Sequence, residues 1–109
     1  MNDSLGEFEQ IALLAILRLE GGAYGVPIRA EIMACTERAP TPGALYTVLD
    51  RLEAKGMVNS WMGEPTAERG GRPKRFFEVT KKGFAAVTRA QRAYGRLMHG
   101  LKLTEDLNG

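Results

Sequence analysis

The stretch TPGALYTVLDRLEAKGMV, residues 41–58, constrains the chain more than any other. Thr41 is an N-cap residue type, whose oxygen accepts from the first helical turn. Pro42 suits the first helical position, where its missing N–H would have had no partner. Gly56 is the residue expected just past the far end, in the left-handed conformation. Between these marks Leu45, Val48, Leu49 and Leu52 form one apolar stripe at helical spacing. At about 100° per residue the opposite face is Gly43, Thr47, Asp50 and Ala54, flanked by Tyr46 and Arg51. One face must be buried, and the other carries almost nothing large.

The same punctuation organises the rest. A first helix is expected over roughly 4–20, with Phe8, Ile11, Ala12, Ala15, Ile16 and Leu19 on one stripe and Leu13, Leu14 and Leu17 on a second. In a chain of 109 residues the second stripe is expected to meet another subunit; the alternative is a helix buried within its own domain. Gly21 and Gly22 end it. A second helix starts near Val26-Pro27 and runs to about Thr36, with Ile28, Ile32, Met33 and Cys35 inward. After Gly56 the period changes to alternation, giving short strands over 57–62 and 74–79. The Gly- and Pro-rich GEPTAERGGRP between them predicts a projecting loop. Thr80 caps a last helix, with Val87, Ala90, Tyr94, Leu97, Met98 and Leu101 along one face and a frayed tail after Thr104. The fold class is therefore mainly α with a small antiparallel β-hairpin: a winged helix-turn-helix over 1–80 and an additional C-terminal helix and tail over 81–109.

Charge is unevenly distributed. Residues 1–68 carry 5 basic and 10 acidic side chains, net −5, whereas residues 69–96 carry 9 basic and 1 acidic, net +8. So dense a basic block suits a polyanion, although charge alone does not separate that reading from a solvated face. A single cysteine excludes an intramolecular disulfide, and the longest apolar run, Ile11–Leu17, is too short to span a membrane. With no basic leader at the acidic N-terminus, a cytoplasmic location without membrane contact is expected.

The stretches AYGVPIRAEI, GALYTVLDRLEAKGMV and GGRPKRFFEVTKKG resemble, in order and spacing, the DNA-binding domain of PadR-type transcriptional regulators, from about Glu7 to Val87. The most specific parts are Leu45-Tyr46 followed by Leu49, Arg51, Leu52 and Glu53, and the Gly-Arg-Pro wing leading into an aromatic strand and Thr80. Thr47 stands where the commoner pattern has Pro, and the C-terminal region is a single helix where many members have a longer arm. The resemblance implies a homodimeric repressor on operator DNA, its dimer built by the first and last helices through Leu13, Leu14, Leu17, Val87, Ala90, Tyr94, Leu97, Met98 and Leu101. Some members also respond to a small hydrophobic or aromatic effector; no residue here establishes one.

A face as thin as that of the third helix fits the major groove, which just admits a helix. Pro42, Gly43 and the first-turn N–H groups allow close approach to a phosphate. Thr41 and Tyr46 offer hydroxyls and Arg51 a guanidinium, while Thr47 is placed to read a base. Asp50, repelled by phosphate, is expected to pair with a basic neighbour or accept from cytosine. No Arg, Asn or Gln points straight out, so specificity should lean on Arg69, Arg72, Lys74 and Arg75 of the wing, opposed only by Glu64 and Glu68, and on DNA shape. Two plainer readings stand beside this one: Tyr46 packs against the second helix, and Asp50 with Arg51 forms a solvated pair.

Other candidates are weaker. Cys35 reads as a buried structural thiol, His99 as a surface residue near a helix end, and Trp61 as hairpin packing. No metal-ligand spacing, phosphate cradle or nucleophile–base pair can be assembled, so neither a cofactor nor an enzyme is expected. The rival reading is a winged helix used for protein interaction or assembly.

Overall fold

The computed structural model describes residues 4–64 and 73–103. Its elements follow the expected order: α1 (Glu7–Leu19), α2 (Gly25–Cys35), α3 (Pro42–Ala54), β1 (Val58–Met62), β2 (Arg75–Val79) and α4 (Lys81–Met98). Each boundary has a local cause. The Thr41 hydroxyl accepts from Ala44 N–H at 3.1 Å at the start of α3, and the Thr80 hydroxyl accepts from Gly83 N–H at 3.0 Å at the start of α4. Gly56 turns the chain out of α3 with φ 77°, a conformation that costs glycine little. The first helix stops at Leu19 because Glu20 and Gly21 both turn left-handed, with φ 47° and 98°. The second begins one residue earlier than expected, which puts Pro27 at its third position, still within the turn whose N–H groups lack helical partners.

Three helices surround one core. Ala12, Leu13, Ala15 and Ile16 of α1 meet Ile28 and Ile32 of α2 and Leu45, Val48, Leu49 and Leu52 of α3. Phe77 of β2 closes it from the hairpin side, with Met57 and Val58. The strands pair antiparallel, from Val58 opposite Val79 to Met62 opposite Arg75. The segment before α2 adds a third edge: Tyr24 bridges Phe76, and Ala23 C=O accepts from Phe77 N–H at 2.8 Å. The first turns of α4 belong to the same core through Gly83, Ala86 and Val87.

Several expectations about burial need correcting. Leu13 and Val87, assigned to a dimer interface, are 0% and 2% exposed and fill the core of their own protomer. Leu13, placed on the second stripe of α1, is buried because α2, α3 and α4 together enclose more of that helix than one stripe covers. Met33 and Cys35, assigned inward, are exposed: Met33 lies about 100° round the helix from the buried Ile32, and Cys35 is the last residue of α2. The Cys35 thiol is thus not a buried group; it lies 3.5 Å from Glu31 Oε2.

Candidate nucleic-acid interface

The outward face of α3 is open. Gly43, Ala44, Thr47, Asp50, Arg51 and Ala54 are all exposed, while the opposite stripe is buried. Its entry is held by the turn from α2: Arg29 Nε donates to Pro40 C=O at 2.5 Å, and Thr36 Oγ1 donates to Ile32 C=O at 2.7 Å. Within the first turn Ala44 N–H is used by Thr41 Oγ1 and Leu45 N–H by Thr41 C=O. Gly43 is left as the residue whose N–H has no bond among the described residues, so the expected phosphate seat narrows to this donor.

The side chains flanking this face differ in their freedom. Thr47 Oγ1 donates to Gly43 C=O at 2.9 Å, which commits its proton to the helix and leaves the methyl group and a lone pair for a ligand. Tyr46 is half-buried, its ring 6.3 Å from that of Phe77. Its hydroxyl lies over Gly25, where a Cβ would come within 2.3 Å of the oxygen. The plainer reading of Tyr46, packing on the second helix, therefore describes both its ring and its hydroxyl. Arg51 is exposed one turn before Lys55. Lys55 itself is tied to Glu9 at 2.8 Å and to Ser4 C=O at 3.3 Å. Burial pushes the Glu9 carboxyl up, but the Lys55 and Gly6 hydrogen bonds outweigh it and hold the group below its ordinary value.

On the hairpin side the basic residues are not all free. Arg75 Nη2 lies 3.0 Å from Asp50 Oδ1 and 2.7 Å from Glu53 Oε1, while its Nε donates to Ser60 Oγ at 3.2 Å. Ser60 Oγ in turn donates to Glu53 Oε2 at 2.8 Å, and the guanidinium sits 4.8 Å from the Phe77 ring centroid. The expectation that the wing cations face counter-charge only from Glu64 and Glu68 is thus incorrect for Arg75: the folded chain brings Asp50 and Glu53 to it. Asp50 does pair with a basic neighbour, as one of its two readings required. Lys74 Nζ lies 5.4 Å from the Tyr24 ring centroid, and Trp61 stacks on Phe76 at 6.0 Å, the hairpin packing expected of it. Arg69 and Arg72, the remaining wing cations, lie outside the described residues, as does Glu68.

Sequence reasoning missed Tyr24, Gly25, Arg29, Glu53 and Ser60. Tyr24 and Gly25 stand in the quoted AYG stretch, but nothing local shows that one bridges the hairpin and the other lies under Tyr46. Glu53 and Arg75 carry opposite charge, yet no spacing rule relates a helix residue to a strand residue 22 positions later.

A second surface lies on α1, α4 and the segment after α4. Leu14 of α1 and Tyr94, Leu97, Met98 and Leu101 at the end of α4 are exposed, and Leu17 and Ala90 are half-buried. Phe84, not assigned from sequence, is 56% exposed beside Leu14 and Leu17 on a groove shared by α1 and α4. Among the described residues there is no cluster of three potential metal ligands, and no helix is long and apolar enough to cross a membrane. His99 is exposed just past the last turn of α4.

Comparison with known proteins agrees with this geometry. The profile of the "Transcriptional regulator PadR-like family" matches residues 13–89. A search of curated proteins finds no match. Among solved structures, a transcriptional regulator from Clostridium thermocellum superposes with a TM-score of 0.66 at 21% identity, covering 83% of this chain and 84% of that one. A PadR family transcription regulator from Clostridium difficile R20291 gives 0.64 at 20% identity, covering 84% and 94%. The hsRosR-S4 protein, in its complex structure, gives 0.68 at 25% identity, covering 92% and 79%.

Proposed function

Because the chain belongs to the PadR-like family of transcriptional regulators, we propose that it is a sequence-specific, double-stranded DNA-binding regulator acting as a homodimeric repressor in the cytoplasm. The observation that carries this reading is the open α3 face, where Gly43, Ala44, Thr47 and Ala54 are exposed and no large side chain stands between the flanking Tyr46 and Arg51. That side fits the major groove, which admits a helix only when little protrudes from it. Thr41, Pro42 and Gly43 approach a phosphate at the helix start, and Arg51 reaches another from the flank. Thr47 meets a base edge through its methyl group or as an acceptor, since its proton is held by Gly43. The Tyr46 ring and hydroxyl set the close approach of α2 to α3 over Gly25, and a DNA phosphate would have to reach the hydroxyl at the edge of that contact. Arg69, Arg72 and Lys74 supply the wing, where an arginine suits a narrow minor groove.

In this reading residues 1–80 form the DNA-binding part and residues 81–109 the dimerisation helix and tail. A second copy covers Leu14, Leu17, Ala90, Tyr94, Leu97, Met98 and Leu101, of which Leu14, Tyr94, Leu97, Met98 and Leu101 are exposed apolar side chains. Two such units would read two half-sites of a pseudo-palindrome. A small hydrophobic or aromatic effector would act by changing that spacing.

Selection of bound fragments from random duplex DNA tests the reading directly. Recovered fragments should share two related half-sites, with affinity falling steeply with salt. Changing Arg69, Arg72 and Lys74 together to Ala should weaken binding and flatten the salt slope by about 0.9 per lost phosphate contact. No enriched sequence and no salt dependence would favour a protein-interaction module instead. A protein that sediments as a monomer at micromolar concentration would refute the dimer.

A further inference from the structure

We propose that Arg75 is a positioning residue and not a phosphate contact: it brackets the wing hairpin to the recognition helix and neutralises the two carboxylates that helix would otherwise turn toward DNA. The inference rests on the DNA-binding reading above and reassigns Arg75, one of the four wing cations expected from the sequence to contact DNA.

The geometry favours a bracket because three of the five N–H groups of the guanidinium, and one face of its plane, are engaged within the chain. A guanidinium donates five N–H groups in a fixed plane. In Arg75 the Nε edge is given to Ser60 Oγ of β1 and Nη2 is shared between Asp50 and Glu53 of α3. One face lies over the Phe77 ring, 4.8 Å from its centroid. Glu53 is held in turn by Ser60 at 2.8 Å, so helix, first strand and second strand meet at one charged centre. The side chain is 30% exposed, against 61% for Asp50, which leaves the carboxylate the more open of the two to an approaching polyanion.

Two consequences follow for DNA docking. Without the guanidinium, α3 would bring two uncompensated carboxylates toward phosphates in a region of reduced dielectric. The hairpin would also lose the polar tie that sets its angle to α3, and with it the simultaneous fit of helix and wing into neighbouring grooves. A planar fork meets these requirements and a point charge does not. Lysine, by contrast, serves well enough as a phosphate contact.

Arg75→Lys therefore separates the roles, because it keeps the charge and removes the fork. Binding to a selected duplex and to a random duplex is measured across salt for the wild type, Arg75→Lys and Arg75→Met, alongside thermal unfolding. For a bracket, Arg75→Lys loses about tenfold on the selected duplex, roughly the effect of one lost specific contact. Its random-duplex affinity and salt slope stay within about twofold of the wild type, since no phosphate contact is removed. The proposal is overturned if Arg75→Lys binds like the wild type while Arg75→Met flattens the slope by about 0.9, the signature of a phosphate contact. It is equally overturned if Arg75→Lys weakens selected and random duplexes alike in proportion to lost stability. If the wild type binds no duplex, the DNA-binding reading fails instead, and the bracket is judged by unfolding. There Arg75→Lys and Glu53→Gln must be non-additive, and additivity refutes it.

Discussion

Two glycines on α4 should respond in opposite directions to the same substitution. Alanine is favoured over glycine inside a helix by about 1 kcal/mol, so propensity alone predicts that Gly83→Ala and Gly95→Ala both stabilise. Packing reverses the sign at Gly83. A Cβ there would lie 2.2 Å from the Met57 carbonyl oxygen, 3.0 Å from its carbon and 3.0 Å from Val79 Cγ1. The obstacle is backbone, and ordinary contact begins at 3.4 Å, so α4 must withdraw by about 1 Å. Withdrawal stretches the bonds that anchor the helix: Thr80 N–H to Met57 C=O at 3.0 Å and the Thr80 hydroxyl to Gly56 C=O at 2.7 Å. Overpacking costs about 1–3 kcal/mol and a weakened hydrogen bond about 1 kcal/mol. After the propensity gain, Gly83→Ala should lose about 1–3 kcal/mol. At Gly95 a Cβ meets nothing within 4 Å, so alanine should add up to about 1 kcal/mol. Urea and thermal unfolding followed by circular dichroism read both, and about 1 kcal/mol shifts the midpoint by roughly 4–8 °C in a domain of this size. Gly83→Ala at or above wild-type stability would refute the packing argument.

Three further outcomes are expected. Phe77→Ala, which empties the hairpin side of the core, should cost about 3–5 kcal/mol by urea unfolding and lower the midpoint without changing the native secondary structure. The Glu9 carboxyl is held below its ordinary value near 4.5, so its contribution is fully present above that pH and is lost as pH falls through the lower folded value; Glu9→Gln should destabilise at neutral pH and converge with the wild type in acid, as unfolding across pH 3–7 will show. Cys35 should react with a disulfide reagent in the native protein nearly as fast as in the unfolded chain, whereas strong protection would contradict its exposed position at the end of α2.

The features legible in the residues alone are those whose physics is local. Thr41 caps α3, Thr80 caps α4 and Gly56 turns left-handed because each depends on atoms within three or four positions along the chain. The stripe Leu45, Val48, Leu49 and Leu52 was legible for the same reason: helical geometry carries it inward whatever it meets. The order of helices and hairpin and the thin outer face of α3 follow from such patterns, whereas the family is read from the resemblance of three stretches of sequence. The tertiary structure decided what depends on which elements meet. It placed Leu13 and Val87 inside the protomer while leaving Leu14 and Phe84 outside, because burial around a helix is set by the neighbours that enclose it. It left Met33 exposed because it turns away from the buried Ile32, and Cys35 exposed at the last residue of α2. It also brought Arg75 to Asp50, Glu53 and Ser60. A charge and its partners 15 to 25 residues away along the chain meet only when the fold supplies the distance, and on that meeting rests the proposal that Arg75 ties helix to wing.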